Sequence, residues 1–229
     1  FMTEEKDLYI LGDKQNIVLM QDGIKEPAAP PAPPSPPPVP KGKKEELILT
    51  PEQVLEMYRA GQMPRIGSWV KIPGMNLLVS PHTVTNQEFR EWMEEGGYTR
   101  RKGWSEKGRK WREEKQVVQP AYWENPRFNH PEQPVVGVSW YEAEAYLRSK
   151  GLVFLTEAKW EKIARGGVRD KKYPWGDEEP TADLAHFGQR EKTGAPLRVT
   201  QLFKPNNYGA FHMAGNIWEW CQDNYAGWL

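Results

Sequence analysis

At 229 residues the chain can hold one sizeable core, or one domain with a small appendage. Its 31 Lys and Arg balance 31 Asp and Glu, so the basic face that would suggest a nucleic-acid partner is not expected. Hydropathy is low, no apolar run nears the roughly 18 residues of a membrane span, and a single cysteine, Cys221, rules out an internal disulfide. The acidic stretch Phe1 to Asp7 does not read as a secretory leader, so the expected compartment is reducing, with the cytoplasm as default.

Residues 1–26 carry two short apolar runs, Leu8 to Leu11 and Ile17 to Met20, with Gly12-Asp13 and Asp22-Gly23 as turn signals. They read either as a tail or as a β-hairpin, and a lone hairpin is marginal in water, so it would pair with another sheet or another chain. Pro27 to Pro40 holds nine of the 21 prolines and reads as a semi-rigid polyproline spacer, residues 27–44 with its basic end. The globular part is expected over 45–229. Thr50-Pro-Glu-Gln53 is a capping box opening a helix with Val54, Leu55, Met57 and Tyr58 on its apolar stripe. Trp69 to Ile72 and Leu77 to Val79 flank Pro73-Gly-Met-Asn76, a hairpin signature. Thr85-Asn-Gln-Glu88 caps a second helix, striped by Phe89, Trp92 and Met93 and closed by Gly96-Gly97.

Tyr98 to His130 shows no period, and Trp104, Trp111, Tyr122, Trp123 and Phe128 among many charges predict a long loop tied down by its own rings. Val135 to Val138 predicts a short buried strand. Ser139-Trp-Tyr-Glu142 is a third capping box, with Trp140, Ala143 and Leu147 sharing a face. Thr156 caps a further helix with Trp160, Ile163 and Ala164 inward. Tyr173-Pro-Trp-Gly-Asp177 makes an aromatic turn. The sum is four short helices, short strands and much loop, an α+β chain. Near the end, Phe211, Met213, Trp218 and Trp220 surround a Gly-Asn turn. The Trp218-Glu219-Trp220 triplet predicts two buried indoles on one face, with the acid pointing away.

Six of these stretches stand in the order of one family: Trp69 to Gly74, Val84 to Phe89, Gln133 to Ala143, Thr156 to Gly166, Tyr173 to Asp177 and Met213 to Trp220. Together they resemble the sulfatase-modifying factor domain of formylglycine-generating enzymes over about residues 66–229. The resemblance implies an irregular, loop-rich fold related to C-type lectins, with few short helices and small antiparallel sheets, and calcium in many members. In the family one calcium is held at the positions of His212, Gly215, Ile217 and Glu219. Gly215, Ile217 and Glu219 are therefore the expected metal contacts, while the His212 nitrogen is a poor stand-in for a hard oxygen donor. A second family site aligns an asparagine with His186. Zinc through His186 and His212 lacks supporting spacing. Val153 and Leu155 replace a family Arg and Pro before Thr156.

The family's enzymes also carry a copper-holding cysteine pair beyond the Trp-Glu-Trp segment, and thiolates suit that soft metal. Residues 1–229 offer Cys221 alone. No catalytic or cofactor-binding residue is assigned, and copper is not expected. The preferred expectation is a non-catalytic display domain binding a protein or other macromolecule, similar to the variable proteins of diversity-generating retroelements. The alternatives are an oxidoreductase, either formylglycine-generating or of the related iron-dependent sulfoxide-forming type, and a structural module of a larger assembly.

Overall fold

A computed structural model describes residues 47–188, 194–201 and 203–224. The expected hairpin or tail over 1–26 and the proline spacer over 27–44 lie outside them. Among the described residues the order is β1 (Leu47–Leu49), α1 (Pro51–Arg59), β2 (Ser68–Lys71), β3 (Leu78–Val79), α2 (Asn86–Glu94), α3 (Glu106–Lys115), α4 (Trp140–Ser149) and α5 (Glu157–Ala164). None of these helices is long and apolar enough to cross a membrane.

The three strands form one sheet in the order β1-β2-β3. β2 and β3 pair antiparallel, Val70 opposite Val79, around the expected Pro73 to Asn76 turn. β1 pairs parallel with β2, Leu49 opposite Val70, with α1 as the crossover that a parallel pair requires. The expected small antiparallel sheets are thus one small mixed sheet. The missed partner, β1, is three residues long, too short for its alternation to stand out.

Helix starts follow the sequence closely. Thr50, Thr85 and Ser139 each accept from the backbone N–H three residues on, while Gln53, Glu88 and Glu142 reach back to the cap. The fifth helix, α3, lies inside the stretch read as a loop. Eight of its ten residues are charged and its fully buried member is Gly108, so no apolar stripe announces it. The tethering expected of the same stretch holds. Trp104 and Trp123 are buried, and the Trp104 indole donates to the Gly97 carbonyl at 2.7 Å. The expected strand at 135–138 is no strand but a largely buried segment that bends at Gly137, φ +73, and is anchored by single bonds, such as Val135 N–H to the Val84 carbonyl at 2.9 Å.

Two cores result. One joins the sheet, α1 and α5 through Val54, Val70, Ile72, Ile163 and Phe211. The other is aromatic, built from Phe89, Trp92, Tyr98, Trp104 and Tyr146, with Phe89 and Tyr146 stacked at 5.4 Å. Gly97 closes tightly on it, since a Cβ there would come within 2.4 Å of the Trp92 ring. α4 turns a different face inward than expected: Glu142, Ala145 and Tyr146 are buried, while Trp140, Ala143 and Leu147 are half-buried.

Candidate functional site

The segment 206–224 carries the residues singled out for function, and two asparagines position it. Asn206 is buried. Its amide donates to the Ile163 and Ala164 carbonyls at 2.6 and 3.0 Å, satisfying the end of α5. Its carbonyl oxygen accepts from the N–H groups of Tyr208 and Ala210, which sets the turn that sends Phe211 into the sheet core. Asn216 does the same one turn later. Its side-chain oxygen accepts from Leu197 N–H at 2.7 Å, and its own N–H donates to the His186 carbonyl at 2.8 Å. The glycine before it is obligatory: Gly215 sits at φ +78, and a Cβ would stand 2.3 Å from the His186 oxygen. The Gly-Asn pair is therefore a staple for the loops at 186 and 197.

Beyond it the chain lies across the entries of α4 and α5. The Trp140 indole donates to the Cys221 carbonyl at 3.0 Å, and the Trp220 indole donates back to the Val138 carbonyl at 3.1 Å. Gln222 N–H reaches the Leu155 carbonyl at 2.8 Å, and the Asp223 carboxylate accepts from Glu157 N–H at 2.7 Å. Asp223 thus supplements the Thr156 cap of α5. Nothing in the sequence announces Asp223 as a cap, because its helix starts 66 residues earlier.

The indoles behave unlike the expectation. Phe211 and Met213 are buried, but Trp218 is 55% exposed and Trp220 38% exposed. The triplet is no strand with an apolar face. Trp220 is held by its N–H, and Trp218 stands open. Glu219 does not simply point away: its carboxylate accepts from the Trp160 indole at 3.3 Å. As a residue it is exposed, yet the protein massed around the carboxylate raises its pKa, desolvation outweighing the Trp160 bond. The Cys221 thiol is pushed up to about 11, first by burial and then by the nearby Glu219, Glu157 and Asp223. A thiol so placed is a poor thiolate at neutral pH.

His212 stands at φ +52, and its Nε2 lies 3.1 Å from the Gln201 carbonyl. A carbonyl only accepts, so Nε2 carries a proton. Burial lowers its pKa to about 4, with His82 and His186 adding to the shift and the Gln201 bond opposing it. His186 Nε2 is likewise 3.0 Å from the Ala195 carbonyl. Both histidines are engaged by backbone.

Gly215, Ile217 and Glu219 offer two carbonyls and one carboxylate, and the Gly215 oxygen already accepts from Ile217 N–H at 2.9 Å. Calcium takes six to eight oxygens, and the neutral imidazole at 212 adds none. The set falls short of a calcium cage. Among the described residues no group of three or more His, Cys, Asp or Glu is placed to hold any metal.

The ordered motifs, the Gly-Asn staple and the Trp-Glu-Trp segment agree with the comparison to known proteins: the model of the sulfatase-modifying factor enzyme 1-like domain matches residues 35–228. The chain belongs to this family. A hercynine oxygenase of Mycolicibacterium smegmatis is 32% identical over 240 residues, covering 98% of this chain and 54% of that protein. A formylglycine-generating enzyme of Thermomonospora curvata is 39% identical over 126 residues, covering 47% of this chain and 41% of that protein. A protein of Chlamydia pneumoniae named serine/threonine-protein kinase pkn1 is 37% identical over 151 residues, covering 63% and 22%. The chain thus spans about half the length, or less, of these relatives. The expectation of a non-catalytic display domain finds no support among them, since these three relatives are all named as enzymes.

Proposed function

We propose that this chain is the sulfatase-modifying-factor-type domain of an oxygen-using oxidoreductase similar to hercynine oxygenase. The observation that carries this reading is coverage. The match to the hercynine oxygenase of Mycolicibacterium smegmatis runs over 98% of the chain and those to two further hercynine oxygenases over 63%, whereas the formylglycine-generating enzymes of Thermomonospora curvata and Streptomyces coelicolor match 47% and 48% of it. The reading requires iron, and the described residues do not fit an iron site, so the metal chemistry is assigned outside them.

In this reading the domain holds and orients the substrate. The open side of 218–223 is the surface for it. The exposed Trp218 indole offers a face for stacking or for a cation, and Glu219 beside it is a carboxylate in a partly desolvated setting. The clasp by Trp140, Trp220 and Asp223 keeps that surface rigid, which substrate positioning needs.

The test is turnover by the whole protein, loaded with iron, on hercynine with oxygen and a thiol donor. Oxygenated product supports the proposal. Conversion of a cysteine-containing sulfatase peptide to an aldehyde with copper, and none of hercynine, replaces it with the formylglycine-generating alternative. A relation to C-type lectins is part of the same proposal, supported by the scarcity of regular structure after α5. Gly215, Ile217 and Glu219 by themselves are too few oxygens for calcium, and melting with and without chelator tests the ion: an unchanged Tm removes it.

A further inference from the structure

The sheet has a second face. Leu49, Val70, Ile72 and Val79 are buried in the core shared with α1 and α5. The residues between them alternate to the other side: Ile48 on β1, Trp69 and Lys71 on β2, and Leu78 on β3. The register brings these together. Ile48 stands beside Trp69, and Leu78 stands opposite Lys71, one diagonal step from Trp69. Ile48 is 54% exposed and Leu78 42%, while Trp69 is half-buried. A sheet face that meets only water ordinarily carries polar side chains. Here an apolar row, with one member from each strand, crosses the outer face instead. Lys71 beside it is exposed and forms no ion pair among the described residues.

The chain before β1 has the matching chemistry. Residues 1–46 lead straight into Leu47, at the edge of this face. Their aliphatic runs are Leu8 to Leu11 and Ile17 to Met20, which a lone hairpin cannot bury. Over 1–26 the acidic residues outnumber the lysines six to three, which suits the exposed Lys71. Reach decides whose face they meet. As a polyproline spacer, Pro27 to Pro40 spans about 43 Å. The flanks 21–26 and 41–46 reach about 20 Å each when fully extended. A return to the same sheet therefore needs both flanks drawn taut, which costs chain entropy. The sheet of a neighbouring copy needs no such tension.

We propose that the chain associates in pairs, with segment 8–20 of each copy lying on the Ile48–Trp69–Leu78 face of the other. The exchange is reciprocal, so it closes as a two-fold dimer and leaves no segment or face over. It buries the apolar row of each copy and sets the acidic segment beside Lys71. The pairing is independent of the oxidoreductase reading and keeps its meaning if that reading fails.

The test is sedimentation equilibrium of the whole 229-residue chain over a range of concentrations. A dimer is expected at micromolar concentration, with Kd weakened about ten-fold or more by Val18→Asp and by Ile48→Asp. Ile48 is exposed, so its variant should keep the parent's cooperative melting, and Leu78→Asp covers the case in which it does not. Mixing the Val18→Asp and Ile48→Asp chains restores one intact segment on one intact face. The mixture should therefore associate more tightly than either variant alone. The proposal is overturned by a monomer at every concentration. It is equally overturned by a dimer that Val18→Asp leaves unchanged, which means face against face, or by a mixture no tighter than its components.

Discussion

Glu142 shows how one side chain can serve two ends. It completes the capping box of α4 by accepting from Ser139 N–H at 2.7 Å, and it accepts the Tyr98 hydroxyl at 2.5 Å inside the aromatic core. Burial raises its pKa against those bonds. Glu142→Ala removes the return bond of the capping box and orphans the buried Tyr98 hydroxyl, so it should cost about 3 kcal/mol in urea unfolding. His212 has the opposite sign. Its folded pKa is about 4, against an ordinary value of 6.5, so between those values the unfolded chain binds a proton that the folded one refuses. Stability should therefore fall as pH drops from about 6.5 to about 4, by no more than about 3 kcal/mol. His212→Asn should flatten that slope, since Asn does not titrate and tolerates the φ of +52. Trp218, 55% exposed, should tolerate Ala within about 1 kcal/mol, whereas Phe211→Ala should cost about 3–5 kcal/mol. If the proposed function holds, Trp218→Ala lowers turnover at unchanged Tm.

The elements around the candidate site depend on one another through the segment that crosses them. α5 starts on Thr156 and on Asp223, which arrives from 66 residues further along the chain. Asp223→Ala should cost about 1 kcal/mol and speed hydrogen exchange at Glu157 N–H. Trp140→Phe keeps the stack on Phe154, now at 5.1 Å, but removes the bond to the Cys221 carbonyl. Loosening there should raise the alkylation rate of the half-buried Cys221 several-fold at pH 8, and an unchanged rate would show that the clasp does not shield the thiol. By contrast α3 hangs on little burial. Its Ser105 cap and the half-buried Trp111 against Tyr141 at 5.6 Å hold it to α4.

The described residues form two cores joined by loops with side-chain staples, and their helices are short. Such a chain gives each loop a fixed address without long regular elements, which suits a domain that positions a substrate. The two cores should melt as one transition, because Asn206, Asn216 and the 218–223 clasp draw on α4, α5 and the loops at 186 and 197 together. Scanning calorimetry resolving two transitions would show them independent.

Local chemistry was written plainly along the chain. The capping boxes at Thr50, Thr85 and Ser139, the Pro73–Asn76 hairpin and the inward Phe89, Trp92 and Ile163 are short-range matters of side-chain reach and helical spacing, so neighbouring residues suffice to predict them. The ordered motifs also carried the family. Long-range partners were hidden: Asp223 on Glu157, Trp140 on Cys221 and Trp160 on Glu219. The exposure of Trp218 was hidden for the same reason. Whether an indole is core or surface depends on which distant segments cover it, and a triplet of letters holds no record of that.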